Sequence, residues 1–284
     1  MEQWTKRWSG FALPAGALCA LLHTGAGAHP DVDELRAAHS REVERRADDP
    51  DIRLQQAHIE RLARSFDAAL VSLAKAEELG ANPTDAAVVR AQVYLDAGWP
   101  GIAKVHLDRV LTAHPDLAHV RRLRGRANRE LGAHEAAARD FRAAIIGMSA
   151  PSPDDVFEYR DALLAAGKPK AARDALDFGA ERIGPVSSLQ LSAVDLALQI
   201  GDHDDAIRRM DALLARNPKN PRWVAKRGDI LERAGRTEEA RSAYTSALEL
   251  LAAKPRHRRG PRIAELERTV RSSLATSEQT KEKP

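Results

Sequence analysis

Residues 132–141 read GAHEAAARDF, and this short stretch contains the pattern that decides the fold. Gly132 is followed five residues later by Ala137, and four residues after that by the bulky Phe141. Residues i and i+4 lie on one face of an α-helix. A glycine five residues before that face suits a left-handed residue just past the end of a preceding helix. The stretch therefore predicts a helix end, a tight turn, and a second helix that buries one small and one large side chain.

The same pattern recurs about every 34 residues, the period of stacked units of helix, turn and helix. The alanines are Ala69, Ala103, Ala137, Ala172, Ala206 and Ala240. The bulky residues are Leu73, Leu107, Phe141, Leu176, Met210 and Tyr244. The turn glycines are Gly98, Gly132, Gly167, Gly201 and Gly235. Three series that keep one fixed period indicate that a single structural unit is repeated along the chain.

The first helix of most predicted units also has a small or apolar residue that recurs at this period. These residues are Ala57, Ala91, Gly125, Val194 and Gly228. Two departures bear on close packing: Arg160 replaces this residue in the fourth unit, and Arg64 and Ser65 replace the turn glycine in the first. Prolines near the unit boundaries, among them Pro83 and Pro153, are predicted to stop helices because they lack an amide proton.

These residues resemble the tetratricopeptide repeat family from Asp51 to about Ala253. The resemblance implies an all-α fold, a right-handed superhelical solenoid of about six helix-turn-helix repeats. It also implies a concave surface, lined mainly by the first helix of each pair, that holds a peptide or a partner protein.

Residues 1–28 have the features of a cleavable signal peptide of a secreted bacterial protein. Lys6 and Arg7 precede an apolar run from Phe11 to Leu22, and the small residues Ala26-Gly27-Ala28 follow. The run is short for a membrane-spanning helix, which needs roughly 20 apolar residues. We expect cleavage near Ala28, a mature chain that begins at His29, and a periplasmic or secreted location.

The rest of the chain divides by composition. Residues 29–50 are predicted to form an N-terminal capping helix, 51–253 the repeats, 254–262 a basic linker, 263–275 a C-terminal capping helix, and 276–284 a disordered tail. Capping helices are expected because terminal repeats need a polar outer face.

Charge and composition exclude several functions. The formal net charge is +3, and removal of residues 1–28 leaves +2, so nucleic acid is not expected as a partner. The basic linker from Lys254 to Arg262 could contact anionic lipid headgroups or could be a solvated connection. The only cysteine, Cys19, lies within the predicted signal peptide, so the mature chain would have no disulfide and no thiol chemistry.

No catalytic motif, phosphate-binding glycine loop or helical zinc motif is present in the sequence, which predicts a non-enzyme without a cofactor. One weak metal candidate is His29. As a new N-terminus it would offer an α-amino nitrogen and an imidazole to copper, nickel or zinc, with His39 or His58 as a second ligand. A metal-handling role is therefore an alternative function.

The groove prediction follows from the register of the first helices. In the third repeat the inward stripe reads His119, Arg122, Arg126 and Arg129, and the next repeat offers Asp154, Phe157 and Asp161. Guanidinium groups suit carboxylates, so an acidic segment could dock beside these arginines. The competing interpretation pairs them internally with Asp154, Asp161 and Glu130.

Trp223, near the start of the last first helix, is a candidate anchor because aromatic residues dominate binding hot spots. Trp99 is predicted to pack between repeats. Together these patterns predict a non-catalytic scaffold of the bacterial periplasm or cell envelope that binds protein or peptide. An accessory factor of an envelope export or secretion system is a further alternative.

Overall fold

The computed structural model describes residues 32–253 and 260–281, and within these ranges all regular structure is α-helical. The helices are α1 Val32–Arg45, α2 Pro50–Leu62, α3 Phe66–Glu78, α4 Pro83–Asp96, α5 Pro100–Ala113, α6 Ala118–Glu130, α7 His134–Gly147, α8 Pro153–Ala165, α9 Pro169–Ile183, α10 Ser187–Gln199, α11 His203–Arg216, α12 Pro221–Arg233, α13 Thr237–Ala252 and α14 Pro261–Lys281. The all-α prediction is confirmed.

The chain divides into two compact units, Met1–Ala113 and His114–Pro284. Unit 1 contains the helix pairs α2/α3 and α4/α5, and unit 2 contains α6/α7, α8/α9, α10/α11 and α12/α13. Within unit 2, each later pair packs its first helix on the second helix of the pair before it. The six predicted repeats are therefore present, two in unit 1 and four in unit 2.

The repeating alanines and bulky residues form the core of every pair. All six alanines have no exposed surface, and the bulky residues from Leu73 to Tyr244 are at most 1% exposed. Burying a large apolar side chain stabilises the fold by about 1.5–3 kcal/mol. The repeat period in the sequence thus arises because the same helix-helix contact is formed in each of the six repeats.

The turns also follow the predicted geometry. The five turn glycines have φ between 71° and 80°, the left-handed region. In the first repeat Arg64 adopts this conformation, with φ 58°. Its turn closes with the same hydrogen bond as the glycine turns, since Ser65 N–H donates to Glu60 O just as Ala133 N–H donates to Asn128 O. The backbone geometry is thus kept where the glycine is missing.

Two prolines have a different role from the predicted one. Pro83 and Pro153 do not stop helices but occupy the first position of α4 and α8, as Pro50 and Pro221 do in α2 and α12. The first residue of a helix needs no amide proton, and proline's fixed φ suits that position. Asn82 and Ser152 cap the α4 and α8 starts with side-chain oxygens.

The capping helices are both present among the described residues. In α1, His39 Nε2 lies 3.2 Å from Ile52 O, and Arg36 pairs with Glu60 at 2.8 Å. The helix α14 packs mainly on α13 and buries Val270 and Ser277.

The sequence predicts a disordered tail from residue 276, but residues 276–281 continue α14, whose buried face extends to Ser277.

Candidate functional site

The first helices of unit 2 present side chains to one shared surface. Polar contacts join each first helix to the next: Arg122 Nη1 to Asp155 Oδ1 at 2.6 Å between α6 and α8, Arg160 Nη1 to Ser192 Oγ at 2.8 Å between α8 and α10, and Lys226 Nζ to Asp195 Oδ1 at 2.6 Å between α12 and α10. We call this surface the first-helix face of unit 2.

Two of the predicted groove arginines are engaged internally. Arg122 binds Asp155, and Arg126 Nε lies 2.6 Å from Glu158 Oε1. The side chain of Asp155 is only 6% exposed and also accepts hydrogen bonds from the backbone N–H and hydroxyl of Ser152 at the start of α8. Because this carboxylate is fixed, the arginine that pairs with it is held in place as well.

Arg122 and Arg126 therefore form ion pairs within the protein, as one of the two interpretations predicted. Their partners are Asp155 and Glu158, however, and not the predicted acidic residues. Asp155 and Glu158 lie on the side of α8 that faces α6. Asp155 directly follows Asp154 in the sequence, and Glu158 comes three residues before Asp161. Asp154 is exposed and makes no ion pair with a described residue, and Asp161 pairs with its neighbour Arg160 at 2.6 Å.

Arg129 differs from the other two arginines. Its side chain is half-buried at the end of α6, and it forms no ion pair within the described part of the chain. His119, the second residue of α6, is also half-buried, and burial holds its pKa below the ordinary value. Of the three arginines predicted for the groove, Arg129 is thus the one that lacks an ion pair with a described residue.

The aromatic residues lie in places that the sequence only partly indicated. Phe157 is half-buried on α8, packs against the core of the fourth repeat, and has the Arg160 guanidinium 4.4 Å above its ring. Trp223 is half-buried against the core of the last repeats. The sequence predicts that Trp99 packs between repeats, but it is 59% exposed on unit 1 because it precedes α5 rather than lying on its buried face.

A further group on this face was not recognised in the sequence. The Tyr244 hydroxyl lies 2.9 Å from Asp229 Oδ1 and 2.8 Å from Glu232 Oε2, both on α12. A phenol has one proton to donate, so it can serve only one carboxylate at a time. Burial, with the nearby Glu232 charge, raises the pKa of Asp229. The only signal for this group was a tyrosine in the bulky series.

Within the described ranges, no set of three or more histidine, cysteine or acidic side chains is placed to hold a metal ion. Nor is any helix of those ranges long and apolar enough to cross a membrane. The signal-peptide prediction, the His29 metal candidate and the basic residues 254–259 all lie outside the described residues.

Comparison with known proteins is consistent with the repeat architecture. The family model described as tetratricopeptide repeat matches residues 88–155 and 191–256. No curated protein matches the chain.

The chain is also similar to several solved structures. The C-terminal part of a TPR repeat-containing protein from Cytophaga hutchinsonii is 13% identical with a TM-score of 0.59, and the match covers 83% of this chain and 94% of that one. A tetratricopeptide repeat protein from Parabacteroides merdae is 15% identical, with a TM-score of 0.47 and coverage of 85% and 93%. Pseudomonas aeruginosa pilF is 18% identical, with a TM-score of 0.47 and coverage of 78% and 95%. The repeat period, the buried helix-pair contacts and the match to the family model together show that residues 88–155 and 191–256 are tetratricopeptide repeats.

Proposed function

We propose that this protein is a non-catalytic scaffold that binds a protein or peptide on the first-helix face of unit 2. The observation that carries the proposal is the shared face itself. Contacts such as Arg126 to Glu158 fix its polar side chains, while Phe157 and Leu164 remain partly exposed between them. Fixed polar groups around partly exposed apolar ones are what a peptide site needs.

The proposal includes a location. We propose that the chain acts in the bacterial periplasm or cell envelope after removal of residues 1–28, on the basis of the apolar run and the small residues before His29. N-terminal sequencing of the protein from periplasmic extract should give a chain that begins at His29. Recovery of protein that still begins at Met1 would contradict this part of the proposal.

Site-specific crosslinking in intact cells tests the binding face. A photo-crosslinking amino acid replaces Asp154 or Ser188, which are both exposed on first helices, or replaces Arg139, exposed on the second helix α7, as the control. We expect the same partner band from both first-helix positions and none from the control. Equal capture from all three positions, or capture only from position 139, would contradict the proposal.

A Trp223→Ala variant separates binding from packing. Trp223 contacts the core and is half-buried. If its exposed part contacts the partner, the crosslinked band should weaken while thermal stability falls only slightly. A loss of stability with unchanged crosslinking would assign Trp223 to packing alone.

A further inference from the structure

A row of four equivalent residues crosses the first-helix face of unit 2. Arg129 on α6, Leu164 on α8, Leu198 on α10 and Glu232 on α12 follow one another at the repeat period, so they occupy the same position in successive repeats. All four are half-buried, and all lie in the last turn or two of their helices. The row runs from a positive end through two apolar residues to a negative end.

Neither end of the row forms an ion pair with a residue that the structure describes. Arg129 forms no ion pair with a described residue, unlike Arg122 and Arg126 on the same helix. At the other end, Glu232 and Asp229 have the single proton of the Tyr244 hydroxyl between them and no ion pair with a described cation. Elsewhere on the face, cations such as Arg160 and Lys226 already have partners.

We infer that this row binds an extended peptide segment that has an acidic residue at one end, a basic residue at the other, and apolar residues between. The inference rests on the proposed function and adds the chemistry of the partner. An acidic side chain would pair with Arg129, apolar side chains would cover Leu164 and Leu198, and an ammonium or guanidinium group would pair with Glu232 and Asp229. A half-buried charge gains most from a partner that it lacks in the free protein.

The spacing of the row sets the spacing of the peptide. Successive first helices of unit 2 are linked by single long side chains, such as Arg122 to Asp155 and Lys226 to Asp195, which places them on the order of 10 Å apart. A polyproline II segment advances about 3.1 Å per residue and has three residues per turn, so every third side chain points the same way about 9 Å further on. The matching segment therefore has its four contacting residues at positions one, four, seven and ten.

The test uses labelled ten-residue peptides with blocked termini. The matched probe has the order Glu-Ser-Ser-Leu-Ser-Ser-Leu-Ser-Ser-Lys, a second probe has the same composition with Glu and Lys adjacent at its centre, and a third has Glu at both ends. Fluorescence polarisation with the full-length protein measures the three dissociation constants. We expect the matched probe to bind about tenfold more tightly than the probe with central charges, the ratio that one satisfied charge pair supplies.

Charge reversal identifies the contact. Arg129→Glu should weaken the matched probe about tenfold and Arg139→Glu, the same charge change on the exposed side of α7, should change binding less than twofold. Circular dichroism checks that both variants fold. Equal binding of all probes, no probe binding, or equal effects of the two variants would overturn the charge row. The in-cell crosslinking result for positions 154 and 188 would then still decide the proposed function separately.

Discussion

The third and fourth repeats make their closest helix contacts at different positions. In the third repeat, Gly125 on the first helix lets the Phe141 ring approach, and a Cβ at Gly125 would lie 2.8 Å from that ring. In the fourth repeat, Arg160 occupies the equivalent position, and the close contact is instead between Val156 on the first helix and Gly179 on the second. Two helices need one small residue where they cross, and either helix can supply it.

Arg160 makes polar and aromatic contacts instead. Its side chain does not enter the helix crossing but reaches Ser192 and Asp161 and lies over the Phe157 ring. Arg160 thus contributes a cation to the first-helix face, while the close contact of the fourth repeat lies one turn before it, at Val156.

The largest expected loss of stability follows from a substitution at Gly179. Both methyl groups of Val156 lie close to where an added Cβ would be, one of them at 2.5 Å, and a β-branched side chain has few other rotamers in a helix. Gly179→Ala should therefore lower the free energy of unfolding by about 2 kcal/mol, net of alanine's higher helix propensity. Urea unfolding followed by circular dichroism measures the change.

Val156→Ala should rescue most of this loss when the two changes are combined, because the crowding methyl groups are gone. Gly101→Ala provides the control, since a Cβ there meets no atom within 4 Å. If Gly179→Ala lowers the free energy of unfolding no more than this control does, the close approach of Val156 to Gly179 is wrong.

A smaller loss is expected at the first-helix glycines. A Cβ at Gly228 would lie 2.6 Å from the Tyr244 ring, which is anchored by its hydrogen bonds to Asp229 and Glu232. The Phe141 ring opposite Gly125 has no such anchor. Gly228→Ala should cost about 1 kcal/mol and Gly125→Ala less, because an unanchored ring can tilt away. Equal losses in urea unfolding would show that the tyrosine hydrogen bonds do not hold the ring.

A substitution in the turn of the first repeat is expected to raise the free energy of unfolding by a similar amount. Arg64 is held at φ 58°, where a side chain with a Cβ costs about 1–2 kcal/mol. Arg64→Gly should raise the free energy of unfolding by about 1 kcal/mol, after loss of the Arg64 contact with the Phe66 ring and the flexibility of glycine are deducted. Thermal unfolding of the variant beside Arg64→Ala, which keeps the Cβ, separates the backbone effect from the lost side chain. A gain in both variants would point to the side chain instead.

The smallest expected change in stability follows from a substitution at Arg160. Arg160→Ala removes contacts of a partly exposed side chain, so the free energy of unfolding should change by no more than about 0.5 kcal/mol. A loss several times larger would mean that Arg160 has a structural role inside the fourth repeat. The same urea measurement as for Gly179→Ala gives a direct comparison within one helix pair.

The sequence alone determined the helix pairs, their number and the residues buried between them. It could do so because one local contact recurs at a fixed period, and residues four apart on a helix must share a face. The turn positions followed for the same reason, since a left-handed residue after a helix favours glycine.

Only the tertiary structure decided which charges on the first-helix face are already paired. Arg122 and Arg129 look alike in the sequence, yet one binds the buried Asp155 and the other has no ionic partner among the described residues. Whether a given arginine meets an acid depends on how the next helix is rotated about its axis, and one position along a helix turns a side chain by about 100°. The same rotation placed the Tyr244 hydroxyl beside two carboxylates and Gly179 directly against Val156.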